Sequence, residues 1–253
     1  MPFKYDLNIT INYFNQYNCR PGIDQLSLSL ISSKIIPKNI FAQELSKIKY
    51  QPQNKPFFLN SKIKLAKSLA QSLSSFSNIL FIGITGSVAS LYPQKNDDID
   101  LFIITKSNTL WFTRFFLKLY LIYKQIPHRH HGDTKKSNSY CFNLWLDDTS
   151  LTIPPNRQNL RNAMDLILLI PLYNKNQIYQ NFLANNSWVK KYLATGYYLL
   201  SKNNRISSKL ILPNNSIITK SVNLVFFVTQ FVFMFPKITT QSISLHFAFF
   251  HQN

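Results

Sequence analysis

The sequence predicts an α+β fold: a short sheet with flanking helices, followed by a helical C-terminal region. Three observations carry this. Residues 78–84 and 99–105 are continuous apolar runs, with the length and character of strands buried on both faces. Residues 61–72 and 110–124 place apolar side chains at helical spacing around them. From Pro154 onward helical periodicity dominates. The chain divides accordingly into a small N-terminal region (1–60), a core (61–155) and a helical region (156–253).

Each element follows from local chemistry. Residues 8–15 are short and partly apolar, and Arg20-Pro21-Gly22 signals a turn. Residues 23–31 alternate Leu and Ser in part, Pro37 breaks the chain, and 41–49 reads as a short helix. Gln51-Pro52 through Pro56 is a linker. In the helix over 61–72, Ile63, Ala66, Leu69 and Ala70 form the apolar face, with Lys62, Lys64 and Lys67 off it. The first strand ends at Thr85-Gly86-Ser87, and Val88 begins a helical turn. Asp98 and Asp100 open the second strand. Lys106-Ser107-Asn108 offers an N-cap for the helix at 110–124. A polar, basic loop over 127–139 leads into a third strand, 140–146, which ends at Asp147-Asp148. Helices are expected over 157–170, with Arg161 and Asp165 as an i,i+4 pair, and over 176–183 and 187–200. A polar loop at 201–216, an apolar helix at 222–235 and an ordered tail at 243–250 follow.

Composition narrows the function classes. With 45% hydrophobic residues in 253, wholesale disorder is excluded, and two cysteines exclude a disulfide scaffold. Lys and Arg number 28 against 10 Asp and Glu, a formal net charge of +18. That balance suits a polyanionic partner, and an A/T-rich coding sequence would produce it without selection; both readings stay open. The N-terminus has no apolar run of the secretory type. The apolar stretch at 222–235 falls short of the ~20 residues of a span and contains Asn223, Thr229 and Gln230, so it reads as a buried helix. The expectation is a cytoplasmic protein without a membrane partner. Attachment to an anionic membrane surface through 222–235 is the weakest of the readings.

The scarce acids cluster. Asp97, Asp98 and Asp100 fall within four residues, and Asp147-Asp148 form a second group. Alternation along a strand points Asp98 and Asp100 the same way and Ile99 into the core. Two such carboxylates repel unless a cation lies between them, and Mg²⁺ or Mn²⁺ is the natural occupant. Gly86 lets the backbone approach a phosphate, and Ser87 adds a hydroxyl beside the amides of a helix start.

Gly86-Ser87, a ten-residue spacer and Asp98-Ile99-Asp100-Leu101 between apolar strands resemble the signature of the nucleotidyltransferase superfamily related to DNA polymerase β. The run Asp98 to Thr105, then Leu110-Trp111, then Asn143-Leu144-Trp145-Leu146-Asp147 is similar to an uncharacterised bacterial branch, over residues 60–200. The resemblance implies a polymerase β-like core with a short mixed sheet, and transfer of a nucleoside monophosphate from a nucleoside triphosphate to an acceptor hydroxyl, in RNA, protein or another molecule. It assigns catalysis and metal binding to Asp98 and Asp100 and nucleotide binding to Gly86 and Ser87. The superfamily usually has a third carboxylate on the next strand, where Asn143 stands; Asp147, of the same strand parity, is the other candidate ligand. The alternative is a catalytically degenerate module that binds nucleic acid. In the 127–139 loop, His128, Arg129, His130, His131, Lys135 and Lys136 fit phosphate or RNA contact or plain solvation better than a metal site, for want of a Cys or acid at ligand spacing. The N-terminal region faintly resembles the winged helix that precedes the core in that branch.

Overall fold

A computed structural model describes residues 2–129, 137–204 and 216–250. Its centre is a six-stranded mixed sheet: β1 (Ile79–Ile84), β2 (Ile99–Thr105), β3 (Tyr140–Asp147), β4 (Ile170–Asn174), β5 (Ser242–Ile243) and β6 (Phe247–Phe249), in the order β4-β1-β2-β3-β6-β5. Only β2 and β3 run parallel; the other neighbours are antiparallel. A parallel pair needs a crossover, and α6 (Leu110–Tyr123) supplies it.

The apolar runs are continuous because both faces of the central strands are covered. On one side Ile99, Leu101 and Ile103 pack with α6 and with α4 (Leu59–Leu73) around Trp111 and Trp145. On the other, Phe102 and Ile104 meet α7 (Leu160–Leu168), α8 (Ile178–Asn185) and α9 (Lys190–Asn204). Trp188 is buried on this second side.

Residues 2–58 fold as helices α1 (Pro2–Asn15), α2 (Ile23–Leu28) and α3 (Lys38–Lys47) around Leu7, Phe14, Leu26, Phe41 and Leu45. No strand occurs among them, so this region lacks the hairpin of a winged helix. It is stapled to α9. The helix breaks at Leu193 (φ −136°, ψ 57°), and Ser32 fills the break: its N–H donates to the Tyr192 carbonyl at 2.8 Å and its carbonyl accepts from the Ala194 N–H at 2.9 Å. Gly196 makes the approach possible, because a Cβ there would lie 2.0 Å from the Leu28 carbonyl oxygen.

Four expectations change. Within the partial alternation over 23–31, residues Ile23–Leu28 are a helix, with Leu26 in the N-terminal core and Leu28 against the central one. Ile170–Asn174 is a strand rather than a helix end; Pro171 is tolerated because β4 is an edge strand with one partner. The tail contributes β5 and β6. The apolar helix, α10 (Ile217–Met234), is not buried: Asn223 is its one fully buried side chain.

Asp147 ends β3, where Thr105 pairs with it, whereas Asp100 pairs with Cys141. Six residues of strand, about 20 Å, separate Asp147 from the acid pair. It is fully buried and accepts from the Asn108 N–H (3.1 Å), the Thr149 N–H (3.0 Å), the Thr149 hydroxyl and His246 Nδ1 (2.8 Å). It is a clamp on the C-terminal strands and not a ligand for the site at Asp98.

Gly196→Ala forces α2 away from α9 and should lower stability by about 1–3 kcal/mol, as overpacking does. Denaturant unfolding checks this; an unchanged midpoint would disprove the close approach.

Candidate functional site

The acid pair sits where the chain enters β2. Asp98 directly precedes the strand and Asp100 is its second residue, so alternation carries both carboxylates to one side. The backbone of β2 is held on both edges there. The Ile99 N–H donates to the Ser139 carbonyl (2.9 Å), and the Thr85 N–H donates to the Asp100 carbonyl (3.0 Å). One carboxylate oxygen each of Asp98 and Asp100 and the Cys141 sulfur lie within 4.8 Å of one another.

Gly86 lies against this pair. It opens the single turn α5 (Gly86–Ala89) at φ +65°, a left-handed conformation that favours glycine. A Cβ there would meet Asp100 Oδ2 at 2.3 Å. Two separate constraints therefore exclude a side chain, and both serve the position of the Asp100 carboxylate. Ser87 follows, half-buried, with its carbonyl accepting the Ser90 hydroxyl at 2.8 Å.

The groups around the acids are the ones that sequence periodicity alone did not bring together. Arg129 Nη1 donates to Asp98 Oδ2 at 2.6 Å. Residues 127–129 are positioned by pairing with the start of β3: the Tyr140 N–H donates to the Pro127 carbonyl (3.0 Å) and the Arg129 N–H to the Tyr140 carbonyl (2.8 Å). Burial works against the guanidinium charge, but the bond to Asp98 and the field of Asp98 and Asp100 hold its pKa above the ordinary value. The Asn143 amide donates to Asp100 Oδ1, and its oxygen accepts from the Cys141 thiol at 2.7 Å.

Lys62 is the other such residue. It is 1% exposed, and Nζ donates to the Asp97 carbonyl at 2.6 Å and to Asn138 Oδ1 at 3.3 Å. Burial lowers its pKa, against the pull of Asp97 and Asp98. The signal was in the sequence: Lys62, Ala66, Leu69 and Leu73 recur at i, i+4, i+7 and i+11, so Lys62 belongs to the buried stripe and not to the solvated face. Asp97 turns its own carboxylate to the Gln94 N–H (2.9 Å) and is a turn residue. His130, His131, Asp133, Lys135 and Lys136 lie outside the described residues; His128 Nδ1 bonds the Ile126 carbonyl at 2.9 Å.

No family model, curated protein or solved structure matches the chain.

The donor set suits one hard cation. Two carboxylates converge, and an amide oxygen stands next to them. In the cation-free site burial, and then the nearby Asp100 and Asp98, push the Cys141 thiol up to about 12. The Arg129 guanidinium occupies Oδ2 of Asp98, so a cation held there competes with it or takes the other carboxylate oxygen. Further along the same sheet face, Thr85, Phe102, Arg161, Asn162 and Asp165 line a pocket. Arg157 also lines it but is committed elsewhere, with Nε donating to the Ser242 hydroxyl at 2.8 Å and a second bond to the Thr240 carbonyl.

Cys19 is pushed up to about 12 as well, by burial. A raised pKa keeps the protonated form to higher pH, so both thiols stay neutral through the physiological range. At pH 8 the folded protein should react with a thiol-specific reagent at least about 10²-fold more slowly than the denatured chain. Fast labelling of Cys141 in the native state would contradict the burial described.

Proposed function

We propose that the protein is a divalent-cation-dependent nucleotidyltransferase with a polymerase β-like core. Transfer of a nucleoside monophosphate from a triphosphate to an acceptor hydroxyl is the reaction this reading assigns. The observation that carries it is the convergence of Asp98 and Asp100 beside Gly86, whose missing side chain leaves room for Asp100 Oδ2. The ten residues between Ser87 and Asp98 are used as a short helix and a loop that return the chain to the sheet next to its starting point.

In this reading Asp98 and Asp100 hold Mg²⁺ or Mn²⁺, and a bound cation of that kind neutralises triphosphate oxygens as charge develops at the α-phosphorus. The chain's own residues do the rest. Gly86 allows the backbone close to the phosphates, and Ser87 offers its hydroxyl to them. Arg129, at Asp98 in the cation-free site, would supply positive charge beside the same phosphates. Asn143 holds Asp100 in orientation through its amide, a role a carboxylate could not fill without a cation present.

A second reading is favoured by that same amide and by the Arg129 ion pair. A site with two carboxylates, one already neutralised, also fits a degenerate core that binds nucleic acid through its +18 charge. The two readings separate on metal dependence.

Binding and turnover of labelled triphosphates should require Mg²⁺ or Mn²⁺. Asp98→Asn/Asp100→Asn should reduce both on the order of 10²-fold or more. Equal triphosphate binding with and without the cation, unaffected by the double variant, would refute the enzyme reading.

Asn143→Asp supplies a third carboxylate. It should tighten cation binding by about tenfold while lowering the stability of the cation-free protein, because the new charge faces Asp100. Calorimetric titration alongside thermal unfolding measures both. A variant that gains stability without cation would show that Asn143 does not face Asp100.

A further inference from the structure

The least explained surface in the molecule is the one made by α10 and α6. α10 holds itself to α6 by its inner face. The Trp111 N–H donates to Asn223 Oδ1 at 2.9 Å, Gln230 Nε2 donates to the Trp111 carbonyl at 2.8 Å, and Arg114 Nη1 donates to Gln230 Oε1 at 2.5 Å. Phe226 packs against Phe112, Phe115 and Phe116 of α6, and Phe227 against Trp111. Asn223 through Oδ1 and Gln230 through both ends of its amide thus tie the two helices together.

The outer face is apolar and exposed. Val225, Val228, Val232 and Phe233 follow helical spacing along α10, and Phe233 is 81% exposed. α6 continues the surface with Phe116, Leu119 and Ile122 at i, i+3 and i+6, and Phe116 is where the two helices meet. The one hydroxyl in the middle of the α10 face, that of Thr229, is turned back onto the Val225 carbonyl at 3.0 Å. A contiguous face of this extent is an interaction site rather than scattered exposure.

Charge decides what covers it. Neither α6 nor α10 contains a carboxylate, and no Asp or Glu occurs after Asp165 in the whole chain. Lys118 on α6, Lys124 just after it and Lys220 in the first turns of α10 are exposed. A second copy would bring a like-charged surface against it, with +18 on each chain. An anionic lipid surface is complementary on both counts: its acyl region takes the valines and phenylalanines, and its headgroups take the lysines.

We infer that the face formed by α6 and α10 docks the protein on an anionic bilayer, with α10 lying in the plane of the interface. By length and composition alone α10 could cross a membrane. The joint through Asn223 and Gln230 argues for the interfacial position, because a spanning helix would carry those side chains into hydrocarbon away from their partners on α6. This surface is independent of the acid pair and stands whether or not the nucleotidyltransferase reading does.

The test is flotation of the full-length protein with vesicles of phosphatidylcholine containing phosphatidylglycerol, beside vesicles of phosphatidylcholine alone. Wild type should float with the anionic vesicles and bind the neutral ones at least tenfold more weakly. Val225→Glu/Val228→Glu/Val232→Glu should cut binding at least tenfold, with unchanged thermal unfolding and unchanged mass in solution. Should the triple variant fail to fold, Phe233→Asp and Ile122→Asp singly should each weaken binding severalfold. The inference is overturned by any of four results: wild type that stays unbound; a folded triple variant that floats like wild type; a wild-type dimer that the triple variant converts to monomer; or resistance of the bound protein to alkaline extraction, which would mean insertion across the bilayer.

Discussion

Two carboxylates held side by side between apolar layers set the terms for much of this fold. Asp98 is buried and Asp100 half-buried, with Ile99 and Leu101 buried beside them, so solvent screens their repulsion only in part. The surrounding structure is arranged to meet that cost. Arg129 is brought in by a backbone pairing at the start of β3, Asn143 donates an amide proton from the neighbouring strand, and Lys62 is drawn beneath the turn that precedes Asp98. Gly86 takes a left-handed conformation so that nothing displaces Asp100 Oδ2. Each of these would be an odd choice alone: a buried lysine, an arginine at a strand start, a glycine under a carboxylate. Together they describe one electrostatic problem solved from four directions.

How much of this the sequence discloses depends on whether the cause is local. β1, β2 and β3 were legible because burial on both faces leaves an uninterrupted apolar run, and the glycine turn between β1 and β2 was legible because Gly is scarce. Lys62 was legible too, in its register with Ala66, Leu69 and Leu73, but side-chain type is easily allowed to outweigh periodicity. β4 was hidden by the apolar run Leu166 to Ile170, which continues the helical pattern of α7 across a strand boundary. Asp147 matched Asn143 in strand parity, yet parity says nothing about distance along the strand, and its partner His246 lies 99 residues away. α10 is the instructive case: its composition fits a buried helix, and only the three-dimensional arrangement shows one face exposed among the described residues.

α6 joins the two surfaces of interest. Its start receives α10 through the Trp111 amide, its middle exposes Phe116 and Leu119, and the chain leaving its end passes through Pro127 to Arg129 at Asp98. The helix that completes the apolar face thus also sets where the guanidinium at the acid pair begins. Its inner side is fixed by Leu117 and Leu121 in the core, so the connection is a rigid one.

The pairing of β3 with β6 has a consequence for how the protein is made. β3 is central in the finished sheet, but the strand that covers its outer edge lies about 100 residues further along the chain. During synthesis the open N–H and C=O groups of β3, set among Phe142, Trp145 and Leu146, wait for residues 247–249 to emerge. A ribosome that stalls anywhere in that interval releases a chain with a long, apolar, unpaired strand edge, the kind that joins to its like. The clamp of Asp147 on His246 therefore also latches the sheet, and it closes only once residues some 100 positions beyond β3 have been made.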